Sequence, residues 1–228
     1  MSTTVSAQFL LEGAVYALEQ CGLLLREANV LYQNGSYASA VALAAFAREE
    51  LGRWTILLDL RRKILRGHHL TIRQLQKACE NHVRKQIAGM KSITLRGDRD
   101  SGVGKVLHAR MMAAPGSAEW KAAQQQIDQI DQQKMKREPD ERHKLRTSAL
   151  YVDAKSAEKW NRPAKEISAM LAHNFIADAV NDYSIQYGQW YTKLDFVKSA
   201  DPELHDALLQ WTDRPELTPP EHPRWPET

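Results

Sequence analysis

Apolar residues along this chain recur at three- and four-residue intervals far more often than they alternate, and that rhythm predicts helices rather than strands. Between Val5 and Tyr32 the series Phe9, Leu11, Val15, Leu18, Leu25, Leu31 keeps it until Asn34-Gly35 stops it. Ser36 is placed to cap a second helix reaching about Arg66 and closed by Gly67. Leu43, Phe46, Ala47, Glu50, Leu51, Trp54, Leu57 and Leu58 form its apolar stripe, and Ala38, Ala42 and Ala45 its opposite face. A third helix is expected over Thr71–Met90, followed by a long loop at Ser92–Gly104 and a turn or two of helix at Lys105–Ala113. Ser117 opens a polar helix, Ala118–Lys136, which Pro139 is expected to break before helix resumes at His143–Leu150. Asn161 and Pro163 read as the cap and first residue of a last long helix ending near Lys193, and Asp201-Pro202 opens a short one. The sum is an all-α fold, an up-and-down bundle of four to five long helices with extra short ones. Residues 1–193 form the helical domain; residues 194–228 form a short helix and an extended tail holding five of the 9 prolines.

With 43% apolar residues in 228, there is enough for a packed core. The longest apolar run, Ala40–Ala47, is far short of the roughly 20 residues a bilayer span needs, and Met1–Ala7 has no basic leader region. A cytoplasmic protein with no membrane association is expected. Cys21 and Cys79 share no metal or redox spacing, so reduced thiols are expected. The net charge of +3 hides an asymmetry: Arg53–Arg110 holds 14 Lys/Arg against 4 Asp/Glu. A basic middle between acidic ends suits a polyanion such as RNA.

Several chemistries drop out. Gly102-Val103-Gly104-Lys105 fails the phosphate-loop spacing, and neither His-Glu-x-x-His nor Glu-x-x-His occurs, so no cofactor or metal site is expected. What remains is a set of polar residues in apolar stripes. Glu50 sits between Phe46 and Trp54, where a buried carboxylate needs a basic partner. Its neighbour Glu49 is expected to point elsewhere and pair with Arg53. His82 interrupts the third stripe with Lys85 a turn later, and a His beside a carboxylate is the usual pairing for proton transfer. Arg146 can clamp a phosphate or pair with Glu50, and Tyr151 offers a hydroxyl and a stacking face. Asn174, Asp178, Asn181 and Asp182 form a polar row on the last long helix.

The run Gly35-Ser36-Tyr37-Ala38-Ser39-Ala40-Val41-Ala42-Leu43, continuing to Ala47-Arg48-Glu49-Glu50-Leu51-Gly52-Arg53, resembles the signature of the AbiV family of bacterial abortive-infection proteins, within the HEPN superfamily. Asn81-His82-Val83-Arg84-Lys85, Leu150-Tyr151-Val152-Asp153 and Asn181-Asp182-Tyr183-Ser184 match in order. The resemblance implies a helical, often dimeric HEPN bundle serving phage defence. Many HEPN proteins are metal-independent ribonucleases, marked by an Arg followed four to six residues later by His on a late helix and by an acidic residue on an earlier one. Glu50 is the match for the acid. The Arg/His pair is where the chain departs: Arg137 and His143 have the spacing but flank Pro139, and Arg61 and Arg62 with His68 and His69 lie at the end of another helix. At the expected position stands Arg146 followed by Tyr151, and a phenol with a pKa near ~10 is a poor base.

The leading expectation is therefore a homodimeric abortive-infection effector that cuts or binds RNA. In it His82 moves protons, Arg146 and Lys85 stabilise phosphate charge, Glu50 orients, and Tyr151 positions the nucleotide. The competing expectation is a non-catalytic module that docks a phage-encoded activator or a host translation component through the polar helix and the tail. A third is a nucleotide-sensing HEPN domain.

Overall fold

The computed structural model describes residues 4–89, 102–152, 154–156, 159–191, 202–212 and 218–224. Among the described residues nine helices run in order: α1 (Ala7–Gln33), α2 (Tyr37–Leu65), α3 (Ile72–Glu80), α4 (His82–Gly89), α5 (Gly102–Met112), α6 (Ala118–Leu150), α7 (Pro163–Glu166), α8 (Ala169–Tyr191) and α9 (Pro202–Thr212). The fold is all-α; the one sheet among the described residues is a short antiparallel ribbon, β1 (Ala154–Ser156) with β2 (Lys159–Trp160).

Helix ends follow local chemistry. Ser6, Thr71 and Ser117 accept backbone N–H bonds at the starts of α1, α3 and α6. Gly35 and Gly67 close α1 and α2 with positive φ, 75° and 88°. Ser36 makes no side-chain cap, contrary to expectation.

α2 is the centre of the bundle. α1 packs along it on one side, and α4, α6 and α8 surround the rest. Ala40, Val41, Ala42, Ala44, Ala45, Ala47, Leu51 and Trp54 are all buried, so burial wraps most of this helix and leaves a narrow rim over its first half, with Ser39 exposed and Leu43, Phe46 and Glu50 half-buried. Its polar residues Arg48 and Glu49 are consequently buried too, at 2% and 3% exposure.

Three sequence expectations are corrected. The helix expected over Thr71–Met90 is two helices, because Asn81 takes extended backbone and its Oδ1 accepts the Arg84 N–H at 2.9 Å, capping α4. Pro139 does not break α6, which runs on to Leu150. Beyond Pro139 the helix is held by ion pairs from Arg142 and Arg146 to neighbouring helices, which supply what the missing N–H cannot. Asn161 caps nothing downstream; Arg162 is the N-cap of a one-turn α7. Asn161 is buried and donates to the Ser148 and Tyr151 carbonyls at 2.8 and 2.6 Å, tying the ribbon to the end of α6. The long helix starts later, with Ser168 accepting from Leu171 N at 3.2 Å. Most of the Ser92–Gly104 loop, Asp153 and Lys193 lie outside the described residues.

The C-terminal segments fold back onto the bundle. Glu203 of α9 pairs with the buried Arg61 at 2.7 Å, and residues 218–224 lie against α1 and α8. Both cysteines are free, and burial pushes their thiols up, which suits inert packing residues. Among the described residues no helix is long and apolar enough to cross a membrane.

Candidate active site

Two glycines set the distance between α2 and α4. A Cβ on Gly52 would run into the Lys85 carbonyl, and one on Gly89 would stand 2.7 Å from the Arg48 carbonyl. With only hydrogen at both positions, the backbones touch. That contact aims His82 and Lys85, one turn apart on α4, at the α2 residue preceding Gly52 by three. This residue is Glu49.

Glu49 Oε2 accepts from His82 Nδ1 at 2.6 Å and lies 3.1 Å from Lys85 Nζ. Arg146 Nη1 approaches Oε1 at 3.5 Å from α6. Arg146 also packs over the Phe46 ring, 5.6 Å from its centroid, and its Nη2 lies 3.4 Å from His143 Nδ1. The rings of His82 and His143 stack at 6.1 Å between centroids, 24° from parallel. Three helices thus converge on one carboxylate, with two imidazoles side by side above it.

The hydrogen bonds specify the tautomers. An ionised carboxylate only accepts, so His82 donates from Nδ1 and keeps a lone pair on Nε2. A guanidinium only donates, so His143 accepts at Nδ1 and carries its proton on Nε2. As neutral rings, one imidazole therefore presents a lone pair and the other an N–H hydrogen-bond donor.

Behind this cluster lies a second buried network. Arg48 donates to Asp182 Oδ2 at 3.0 Å and reaches Asp178 at 3.7 Å, while Arg142 lies 3.7 Å from Asp182. Arg48 also covers the Phe175 ring at 4.9 Å. These pairs lock α2, α6 and α8 together. In the polar row on α8, Asp182 is fully buried and is a structural member, Asp178 is its half-exposed companion, and Asn174 is exposed.

Of the five residues expected at the site, His82, Lys85 and Arg146 come together. Glu50 and Tyr151 do not. Glu50 pairs with Arg53 at 3.3 Å, the partner expected for Glu49, so the two glutamates exchange places. The cause is the breadth of burial on α2: a single apolar stripe does not describe a central helix, and Glu50 falls on its half-buried rim while Glu49 faces inward. Tyr151 follows the end of α6 at 57% exposure, and its described bond is a backbone one, to Asn161. Lys85 is only 4% exposed with its ammonium on Glu49, so it balances that carboxylate rather than facing solvent.

Two residues were missed. Glu49 was set aside in favour of its neighbour. His143 carries the expected Arg-to-His spacing from Arg137 and was discounted because of Pro139; that spacing was the available signal. The other candidates lie elsewhere: Arg61 is bound to Glu203, and His68 and His69 line a separate pocket with Lys63 and Gln74. Among the described residues no group of three His, Cys, Asp or Glu side chains is placed to hold a metal ion.

Burial raises the Glu50 carboxyl above its usual range, with Arg53 and Lys85 pulling the other way. A carboxyl raised in the folded state costs stability once it ionises. The penalty is present above its folded pKa and disappears as pH falls through the unfolded value, near ~4.3. Glu50→Gln is therefore expected to hold or raise the melting temperature at pH 7, with the difference from wild type vanishing at pH 4. A clear loss of stability at pH 7 would place Glu50 back in the essential network.

The sequence model of the AbiV family, a HEPN family, matches residues 9–181. The chain belongs to the AbiV family. No curated protein and no solved structure matches it. AbiV membership points to an abortive-infection, HEPN-type function. The matched span covers α1 through most of α8, including every residue of the Glu49 cluster.

Proposed function

We propose that this AbiV protein is a metal-independent endoribonuclease in which His82 is the proton acceptor and His143 a hydrogen-bond donor to the phosphate. The observation that carries this reading is the pair of stacked imidazoles, one bound to the buried Glu49 and the other beside Arg146. His82 Nε2 takes the proton from a ribose 2′-hydroxyl. The freed oxygen attacks the adjacent phosphorus, the bond from phosphorus to the 5′-oxygen breaks, and the leaving oxygen takes its proton from solvent while the neutral His143 donates an Nε2–H hydrogen bond to the phosphate; the proton held by His82 then returns to solvent. The products are a 2′,3′-cyclic phosphate and a 5′-hydroxyl, and no water is consumed. Glu49 holds His82 and favours its protonated form as the proton arrives. Arg146 lies between the two histidines as the cation nearest the developing phosphate charge.

The RNA backbone has a surface to follow. On the other side of α4 a groove of about 480 Å³ is lined by Arg62, Lys63 and Arg66 of α2 and by Arg84 of α4, with Asp59 the one acid on its wall. Arg62 is paired to Asp59 at 2.7 Å. With about four phosphates neutralised, log K for single-stranded RNA is expected to fall with log salt at a slope near −3. Charge reversal at Lys63 and Arg66 should flatten that slope.

The test is purified protein with total RNA in EDTA. Cleavage leaving cyclic phosphate ends is expected, reduced by about 100-fold or more in His82→Ala and in His143→Ala, with thermal unfolding retained. Intact RNA, or full activity in His143→Ala, would overturn the reading and favour a docking module.

A further inference from the structure

The proline-rich tail is seated in a groove formed by α1 and α8. Arg26 Nη2 donates to the Thr218 carbonyl at 2.8 Å, Asn29 Nδ2 to Glu221 at 3.3 Å, and Gln33 Nε2 to Arg224 at 3.4 Å. From α8, His173 Nε2 donates to the Pro223 carbonyl at 3.1 Å. The three carbonyls read by α1 are each three residues apart. Three residues is the repeat of a polyproline helix, which makes no internal hydrogen bonds and leaves its carbonyls open. Pro223 is buried and Pro219 and Pro220 are half-buried, while Thr218, Glu221, His222 and Arg224 are exposed. His173 belongs to an aromatic cluster: the Tyr32 ring packs on His173 at 6.0 Å and on Tyr37 at 5.5 Å. Carbonyl donors beside aromatic rings are how proline-rich peptides are commonly held.

Among the described residues, these four bonds all reach main-chain oxygens of the tail. The seated segment also fits incompletely. On the same stretch of α1, Asn29 Oδ1 and the Tyr32 hydroxyl are buried without a hydrogen-bond partner among the described residues. A peptide offering an N–H and a carbonyl at those two atoms would bind better.

We propose that the α1–α8 groove is a receptor for an extended proline-rich peptide of a partner protein, occupied in the resting chain by residues 218–224. The partner displaces the tail and keeps the same carbonyl ladder. This site is separate from the Glu49 cluster and stands whether or not the protein cuts RNA.

The test uses the full chain and a fluorescein-labelled peptide with the sequence of residues 214–228. In wild type the attached tail competes at an effective concentration in the millimolar range, so the peptide binds poorly. In the full-length variant P219G/P220G/P223G the tail loses its preset backbone while the groove is untouched. Peptide binding by anisotropy is expected to tighten by about tenfold or more, and to be lost when R26A and N29A are added, with circular dichroism unchanged. Failure of the proline-to-glycine variant to bind, or binding indifferent to R26A/N29A, would overturn the proposal. So would a wild-type dimer by light scattering that dissociates in the proline-to-glycine variant, because the groove would then belong to the tail of a second copy.

Discussion

Glu49→Gln is expected to destabilise the protein by about 3–5 kcal/mol, the usual effect of removing one partner from a buried ion pair. Glu49 is 3% exposed and Lys85 4%, and Arg146 and His82 share the same carboxylate. Taking away its charge leaves a buried ammonium and a largely covered guanidinium without compensation. Small domains have only about 5–15 kcal/mol in hand, so a large fall in the urea midpoint is expected. Glu50→Gln, one residue away, is expected to be neutral or better. The double change Glu49→Met with Lys85→Met should recover part of the loss, because two well-packed apolar chains replace a pair rather than orphaning one member. If Glu49→Gln unfolds at the wild-type midpoint, the buried cluster is not what joins α4 and α6 to α2.

Gly52→Ala is expected to be nearly as damaging, and in the opposite direction from ordinary helix chemistry. In a helix interior, Gly to Ala normally gains up to ~1 kcal/mol. Here the added methyl would occupy the position of the Lys85 carbonyl, a backbone atom that yields only if all of α4 moves. Overpacking of this kind costs about 1–3 kcal/mol, and the displaced helix would carry His82 and Lys85 away from Glu49. Both the melting temperature and any RNA cleavage should fall together. Gly13→Ala is the control. Its Cβ would meet only Leu57 Cδ1 at 3.5 Å, an ordinary contact, so that variant should be slightly more stable than wild type. A Gly52→Ala protein as stable as the Gly13→Ala one would mean that α2 and α4 do not touch as described.

Legibility differed between the fold and the site for a physical reason. The helical rhythm of α1 and α2, and the stops at Gly35 and Gly67, are local properties and were readable. The division between α3 and α4 was not, because Asn81 acts through a side-chain bond that a continuous apolar stripe conceals. Pro139 misled in the other direction. Its missing N–H argues for a break, and only the ion pairs of Arg142 and Arg146 on the following turns show why the helix continues.

At the site, His82, Lys85 and Arg146 stood out as polar residues in apolar surroundings, and they do converge. The choice between Glu49 and Glu50 was beyond any reading of α2 alone. The two lie about 100° apart on the helix, and a stripe analysis assumes that one side of the helix faces water. α1, α4, α6 and α8 all pack on α2, so the carboxylate that meets α4 and α6 is selected by where those neighbours sit. His143 was lost to the same limit, since its value depends on an unbroken α6 and a stacking partner from α4.

Helical period and glycine placement were sufficient to define an all-α chain, and the motif from Gly35 to Arg53 resembled that of its family, because each acts within a few residues. Which glutamate is buried, which histidines face each other, and where the tail lies were decided by packing between segments up to 192 residues apart. Those contacts depend on the angle and separation of whole helices, quantities to which no short stretch of residues corresponds.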